Sequence, residues 1–361
     1  LEGTRPLSEL RSIDWAALRH AYGSAADVPG LIEQLVSSDI EVMKKAEDDL
    51  WAAILHQGLV CDATALALPF VLGVLHASEG ARRRVLIGWL TDLKWVLDPK
   101  HGEAYIERVR VALYRALPVF LALLEDPDEE TRSEVVGFLG HTVGEAERAA
   151  QGLLGHVRDE SSVAVQADVR MSLANLHVRS AELDRLTEPW ITAPDEFRQI
   201  VAWSARLRAR PEPDGSAHLA SKLPDGVDGP RSWWGVGQPF SIMELLTARR
   251  GWSAEPVLRR AVVQTLLGMR GYVAYRVLRW VLAEFFDEGK ASIPEHASDL
   301  KPAQFELLSS LSQLPDFFER PLNPGLLIEN TQSEMRDFGL PCDHRRLTRW
   351  IAGETRTACL R

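Results

Sequence analysis

Apolar residues recur at three- and four-residue spacing through most of the first 210 positions, the pattern of helices that each bury one stripe. Ser24 to Ser38 places Val28, Leu31, Ile32, Leu35 and Val36 on such a stripe. Ile40 to Gln57 follows with Val42, Ala46, Leu50, Ala53 and Ile54, and Gly58 stands where a left-handed C-cap is wanted. Ala63 to His76 pairs in the same way with Ala81 to Leu97, and Ala104 to Leu124 pairs with Thr131 to Val143. Pro127, Pro194, Pro211 and Pro213 fall between these segments rather than inside them. No stretch alternates apolar and polar residues for long enough to predict a half-buried strand. The expectation is an all-α chain of consecutive helical pairs.

The pairs also repeat one another. From Ala116 to Gly140 a proline opens the first helix (Pro118), a tight corner follows at Asp126-Pro127-Asp128, and Arg132 opens the second helix. Asp and Pro close such a corner and cap the helix after it, and the arginine can pair back to the turn acid. This segment resembles a HEAT repeat. Weaker copies flank it. Pro29 to Ala53 has Ser38-Asp39 at the turn and Lys45 at the arginine position, Leu153 to Leu176 has Asp159 to Ser162, and Ile191 to Leu207 has Ala193 to Glu196. The turn acids Asp126, Asp159 and Asp195 lie 33 and 36 residues apart, one hairpin per interval. Ala63 to Leu97 fits the helices but lacks the turn signature. The resemblance covers about residues 24 to 210 and implies a right-handed α-α superhelix of HEAT-like hairpins, with second helices lining its concave side.

Composition changes after Arg210, which divides the chain into a helical repeat array at 1–210, a loop at 211–239 and a C-terminal helical region at 240–361. Five prolines and five glycines mark 211–239 as a long loop. Helical pattern resumes at Ile242 to Arg249, Ala254 to Met269, Tyr272 to Phe286, Pro302 to Leu314 and Asp343 to Ala352. Pro315 to Pro341 reads as irregular. The region holds further divergent repeats, a cap, or an insertion that carries the function.

Candidate chemistry centres on the eleven tryptophans. Trp89, Asp92 and Trp95 fall within one arc of roughly 120° on a single helix. Two indoles and a carboxylate could hold a flat or cationic ligand by stacking and cation–π attraction. The trio resembles the pocket of HEAT-like alkylpurine DNA glycosylases, and that resemblance implies Asp92 as an electrostatic or general-base residue. The competing reading packs both indoles between hairpins and leaves Asp92 in solvent. Trp233 and Trp234, in the glycine- and proline-rich loop, are either folded onto the core or offered to a partner, where tryptophan is a common anchor. His141 and Asn175 fall at matching places in adjacent repeats and could form a polar ladder along one face.

The remaining features exclude more than they assign. The basic runs Arg82 to Arg84 and Arg206, Arg208 and Arg210 either touch phosphate or form solvated helix faces. Histidine and cysteine spacing gives no metal motif, and no cofactor is called for. The cysteines Cys61, Cys342 and Cys359 are odd in number and scattered, which predicts free thiols and a cytoplasmic setting. No run of 18 apolar residues predicts a membrane span, and residues 1–10 carry charge and proline where a secretory signal would be apolar. A net charge of −10 disfavours nucleic acid and anionic membrane. The expectation is therefore an interaction protein that grips a protein or peptide on a concave helical surface, with enzymatic activity the second reading. A small-molecule ligand remains open. The alternative is a HEAT-like enzyme acting on a base or small molecule in the Trp/Asp pocket.

Overall fold

The structure, a computed structural model, describes residues 2–56, 60–210, 213–223, 229–230, 233–236, 238–248, 251–269, 271–286, 293–319 and 329–360. Gly58, expected as a C-cap, lies outside the described residues. The fold is all-α, and its described strand content is one antiparallel ribbon, β1 (Arg19–His20) with β2 (Gly23–Ser24). The chain forms two compact units, residues 1–189 with 230–234, and residues 190–229 with 235–361.

In the first unit, α1 (Val28–Gln34) and α2 (Ile40–Ile54) form one hairpin, and α3 (Asp62–Ala77) and α4 (Gly80–Thr91) the next. The third has a broken first helix, α5 (Ala104–Arg115) and α6 (Leu117–Ala122), followed by α7 (Glu129–Leu139). The single helix expected from Ala104 to Leu124 is interrupted because Pro118 has no N–H to donate to the preceding turn. Hairpin four is α8 (Ala146–His156) with α9 (Val163–Leu176), and α10 (Ser180–Ile191) opens the next. Helix α7 packs against both α4 and α9, so the second helices make one continuous layer, while α3 packs on α1 and α5 in the other. Phe120 and Phe138 seal the third hairpin with ring centroids 4.3 Å apart.

The turns do more than reverse the chain. Asp39, Asp128, Ser162 and Asp195 cap helices by accepting backbone N–H groups, as their residue types foretell. Arg132 opens α7 but does not pair with the carboxylate of its own turn. It donates to the carbonyls of Asp126 and Pro127 (2.8 and 3.1 Å) and forms a bidentate pair with Glu160 of the next hairpin (2.7 and 3.1 Å). The carboxylate of Asp126 is taken by Arg83, one hairpin earlier, and Asp128 is taken by Arg84. Arg82 donates to the carbonyl of Ser37. The run Arg82 to Arg84 is thus a set of clamps between successive hairpins rather than a phosphate track.

The second unit comprises α11 (Glu196–Ala209), α12 (Pro213–Ser221), α13 (Pro239–Thr247), α14 (Pro256–Gly268), α15 (Gly271–Phe285), α16 (Pro302–Leu311), α17 (Pro315–Glu319), α18 (Glu329–Asp337), α19 (His344–Ile351) and α20 (Arg356–Leu360). Two stretches read as irregular therefore contain helices. Helix α12 lies inside the expected loop at 211–239, and α17 and α18 lie inside 315–341. In both stretches prolines start helices, where the missing N–H costs nothing, rather than ending them. Trp252 packs edge-on against Phe285 at 5.8 Å, and the indole of the fully buried Trp350 donates to the carbonyl of Glu295 at 3.0 Å. Arg279 pairs with the buried Glu334 at 2.9 Å, tying α15 to α18.

Candidate functional site

The second helices α7 and α9 bring a set of small and polar residues to one face of their layer. On α9 these are Asp168, Ser172 and Asn175, spaced four and three residues apart. On α7 and just past it lie Glu134, Gly137 and His141, spaced three and four. Those spacings set each group on one helix face. Helix α9 is buried almost all round, and Asp168 and Ser172 are 0% exposed. A carboxylate so deeply buried needs partners.

Two of its partners come from residues more than sixty positions away. Asp168 Oδ2 accepts the main-chain N–H of Trp233 at 3.0 Å, and Oδ1 accepts that of Trp234 at 3.2 Å. Ser133 donates its hydroxyl to the same carboxylate at 2.6 Å. Each indole then has its own acceptor. Trp233 donates Nε1–H to Glu134 Oε2 at 3.0 Å, and Trp234 donates to Ser172 Oγ at 3.0 Å. His141 stacks on the Trp234 ring, with centroids 5.0 Å apart and planes 9° from parallel, and meets Trp233 edge-on at 5.2 Å. Lys94 lies over the Trp233 ring, 4.9 Å from its centroid. The pair is therefore anchored by main chain, by indole N–H and by ring faces together.

Gly137 makes room for it. Glycine inside a helix costs about 1 kcal/mol relative to alanine, so its place on α7 calls for a reason. A Cβ built there would lie 2.1 Å from Cδ2 of the Trp233 ring. Gly137→Ala is expected to expel the Trp233 indole while leaving α7 helical. Fluorine NMR of fluorotryptophan-labelled chain, with the Trp233 signal assigned by Trp233→Phe, reads this directly. An unmoved Trp233 signal in the alanine variant would count against this seat.

Of the other candidates, Asn175 donates to the carbonyl of Gly140 at 3.0 Å, and His141 Nδ1 lies 2.9 Å from the carbonyl of Gly137. They stand on the same face of the layer but bond to the end of α7 rather than to each other in these two contacts. Trp89, Asp92 and Trp95 do not share one helix. Helix α4 ends at Thr91 and the chain tightens into a 3-10 turn over Asp92–Leu97, which changes the angular spacing. Trp89 is buried at 4% exposure, Trp95 is half-buried against His101 with rings 5.2 Å apart, and Asp92 is exposed. The indole N–H groups of Trp89 and Trp95 meet no acceptor among the described residues. Asp92 lies near Glu47, whose carboxyl is pushed up to about 7 by burial and by the charges of Asp48 and Asp92. The same turn carries Lys94 to Trp233.

Sequence reasoning singled out Trp233, Trp234, His141 and Asn175 but missed Asp168, Ser172, Glu134, Gly137 and Lys94. The signal available was the alignment of Asp168, Ser172 and Asn175 on one face of α9 at four- and three-residue spacing.

No protein-family model matches the chain, and no curated protein matches it. A solved structure to which it is similar is the complex of CpcE and CpcF of phycocyanin lyase from Nostoc sp. PCC7120, with 18% identity, 70% of this chain and 93% of that chain covered, and a TM-score of 0.42. The class that the fold itself defines is an all-α protein of stacked helical hairpins. Among the described residues no helix is long and apolar enough to cross a membrane, and no group of three or more His, Cys, Asp or Glu side chains could hold a metal ion.

Proposed function

We propose that this chain is an interaction protein of the HEAT-like kind, which binds a protein or peptide partner on the second-helix layer of its first unit. The observation that carries this reading is the grip of Asp168 on two successive main-chain N–H groups. A carboxylate that takes consecutive amides recognises a peptide backbone as such, and the indole acceptors beside it add side-chain preference. Around the tryptophan pair Asp168, Ser172, Glu134 and His141 bring hydrogen-bonding and ring contacts together, a combination that ordinary apolar core packing lacks. Stacked hairpins supply such surfaces readily, since each contacts only its neighbours and leaves one face extended.

The test frees the seat and asks what fills it. The full chain carrying Trp233→Gly and Trp234→Gly is used to select peptides from a displayed random library, with counter-selection against the same chain also carrying Asp168→Leu. Peptides that depend on Asp168 are the expected result. A folded double variant that retains no Asp168-dependent peptide would overturn the proposal.

A further inference from the structure

We infer that the partner presents a pair of adjacent tryptophans, and that the chain's own Trp233-Trp234 is a resident competitor which that partner must displace. This inference rests on the reading of the layer as a peptide seat.

Asp168, Glu134, Ser172 and His141 are each matched to a feature of an indole pair. Asp168 requires two consecutive residues that both own an N–H, which excludes proline at either place. Glu134 and Ser172 each face one indole N–H, a donor that phenylalanine lacks and that tyrosine carries at a different place. His141 stacks on the second ring, and Gly137 is hollowed for the first. A glycine follows the pair at φ 59°, a left-handed conformation that favours glycine after it.

The resident pair is also placed to leave. Residues 230–234 are an island of the first unit, set in sequence between stretches of the second. Trp233 and Trp234 are half-buried, whereas the core indoles of Trp15, Trp252 and Trp350 are 4%, 1% and 0% exposed. The seat they cover is lined by carboxylate, hydroxyl and imidazole groups, which water can hydrate once it is vacated. Asp168 would keep its bond from Ser133. A resident segment acts at an effective concentration on the order of millimolar, so it lowers the apparent affinity for the same motif supplied in trans.

The probe is a labelled synthetic peptide of residues 230–237, which contains Ser232-Trp233-Trp234-Gly235, followed by fluorescence anisotropy. It is expected to bind the full chain carrying Trp233→Gly and Trp234→Gly at least tenfold more tightly than the unmodified chain. Adding Asp168→Leu to that variant should weaken binding at least thirtyfold, and a probe with alanine at both tryptophans should not bind. Equal binding to the unmodified and double-variant chains would overturn the competition. Selected peptides that depend on Asp168 but lack tryptophan would sink the indole-pair specificity and leave the peptide seat standing. Should the double variant fail to fold, hydrogen exchange on the unmodified chain decides. Saturating peptide should speed exchange at the amides of Trp233 and Trp234, and unchanged exchange would overturn the inference.

Discussion

Replacing Glu160 with alanine is expected to destabilise the first unit by about 3 to 5 kcal/mol, the usual cost of removing one partner of a buried ion pair. The side chains of Arg132 and Glu160 are 14% and 2% exposed, so solvent screens the pair little. Alanine leaves the Arg132 guanidinium with the carbonyls of Asp126 and Pro127 and only the weaker charges of Glu129 and Asp126 in place of its bidentate partner. Arg84→Ala, which breaks the exposed pair to Asp128, should cost under about 1 kcal/mol. Urea unfolding followed by circular dichroism compares the two. Similar midpoint shifts would show that the Arg132–Glu160 clamp does not hold the hairpins together.

The same carboxylate gives a pH dependence of known sign. Burial pushes the Glu160 carboxyl up, but bonds from Arg132 and the Ser162 N–H, with the charges of Arg132 and His156, more than offset this and hold it below its ordinary value. Its stabilising contribution is therefore complete above the unfolded carboxylate pKa of about 4.3 and is lost as pH falls through the lower folded value. Acid unfolding of the unmodified chain should steepen below about pH 4. Glu160→Gln should flatten that part of the curve, and an unaltered curve would remove Glu160 from the account.

Asp168→Leu is expected to release the Trp233-Trp234 segment from the layer. Hydrogen bonds to a charged group contribute about 1.5 to 3 kcal/mol each, and Asp168 makes one to each of the two amides. Even with partial compensation by water, a loss of about 2 to 4 kcal/mol speeds exchange at those amides by roughly thirtyfold to several hundredfold. Helix content should hold, because α9 keeps its apolar contacts and leucine suits a helix interior. Unchanged protection at Trp233 and Trp234, measured by mass-resolved hydrogen exchange, would mean that the indole bonds and ring packing retain the segment without Asp168.

Residues near one another in sequence made the helices and their corners legible. The three-four spacing of apolar residues sets a buried stripe on each helix, and Asp-Pro-Asp closes a corner whatever lies beyond it. The interval of 33 to 36 residues between turn acids marked the hairpin unit for the same reason. What the pattern misjudged were the effects of proline. Pro118 broke the run that periodicity alone carried from Ala104 to Leu124, as its helix-opening place in the repeat implied, and the prolines that open α12 and α17 began helices inside stretches read as irregular.

The tryptophan pair divides the two kinds of information most clearly. Composition alone marked Trp233 and Trp234 as unusual in a loop of glycine and proline. That they return to α7 and α9, across separations of 62 to 99 residues, depends on contacts that leave no periodic trace. Asp168 is one polar residue in a helix until two amides converge on it, and Gly137 is a weak point in α7 until an indole lies against it. Local spacing fixes which face a side chain occupies. Only tertiary structure brings a distant segment to that face and decides what the side chain meets.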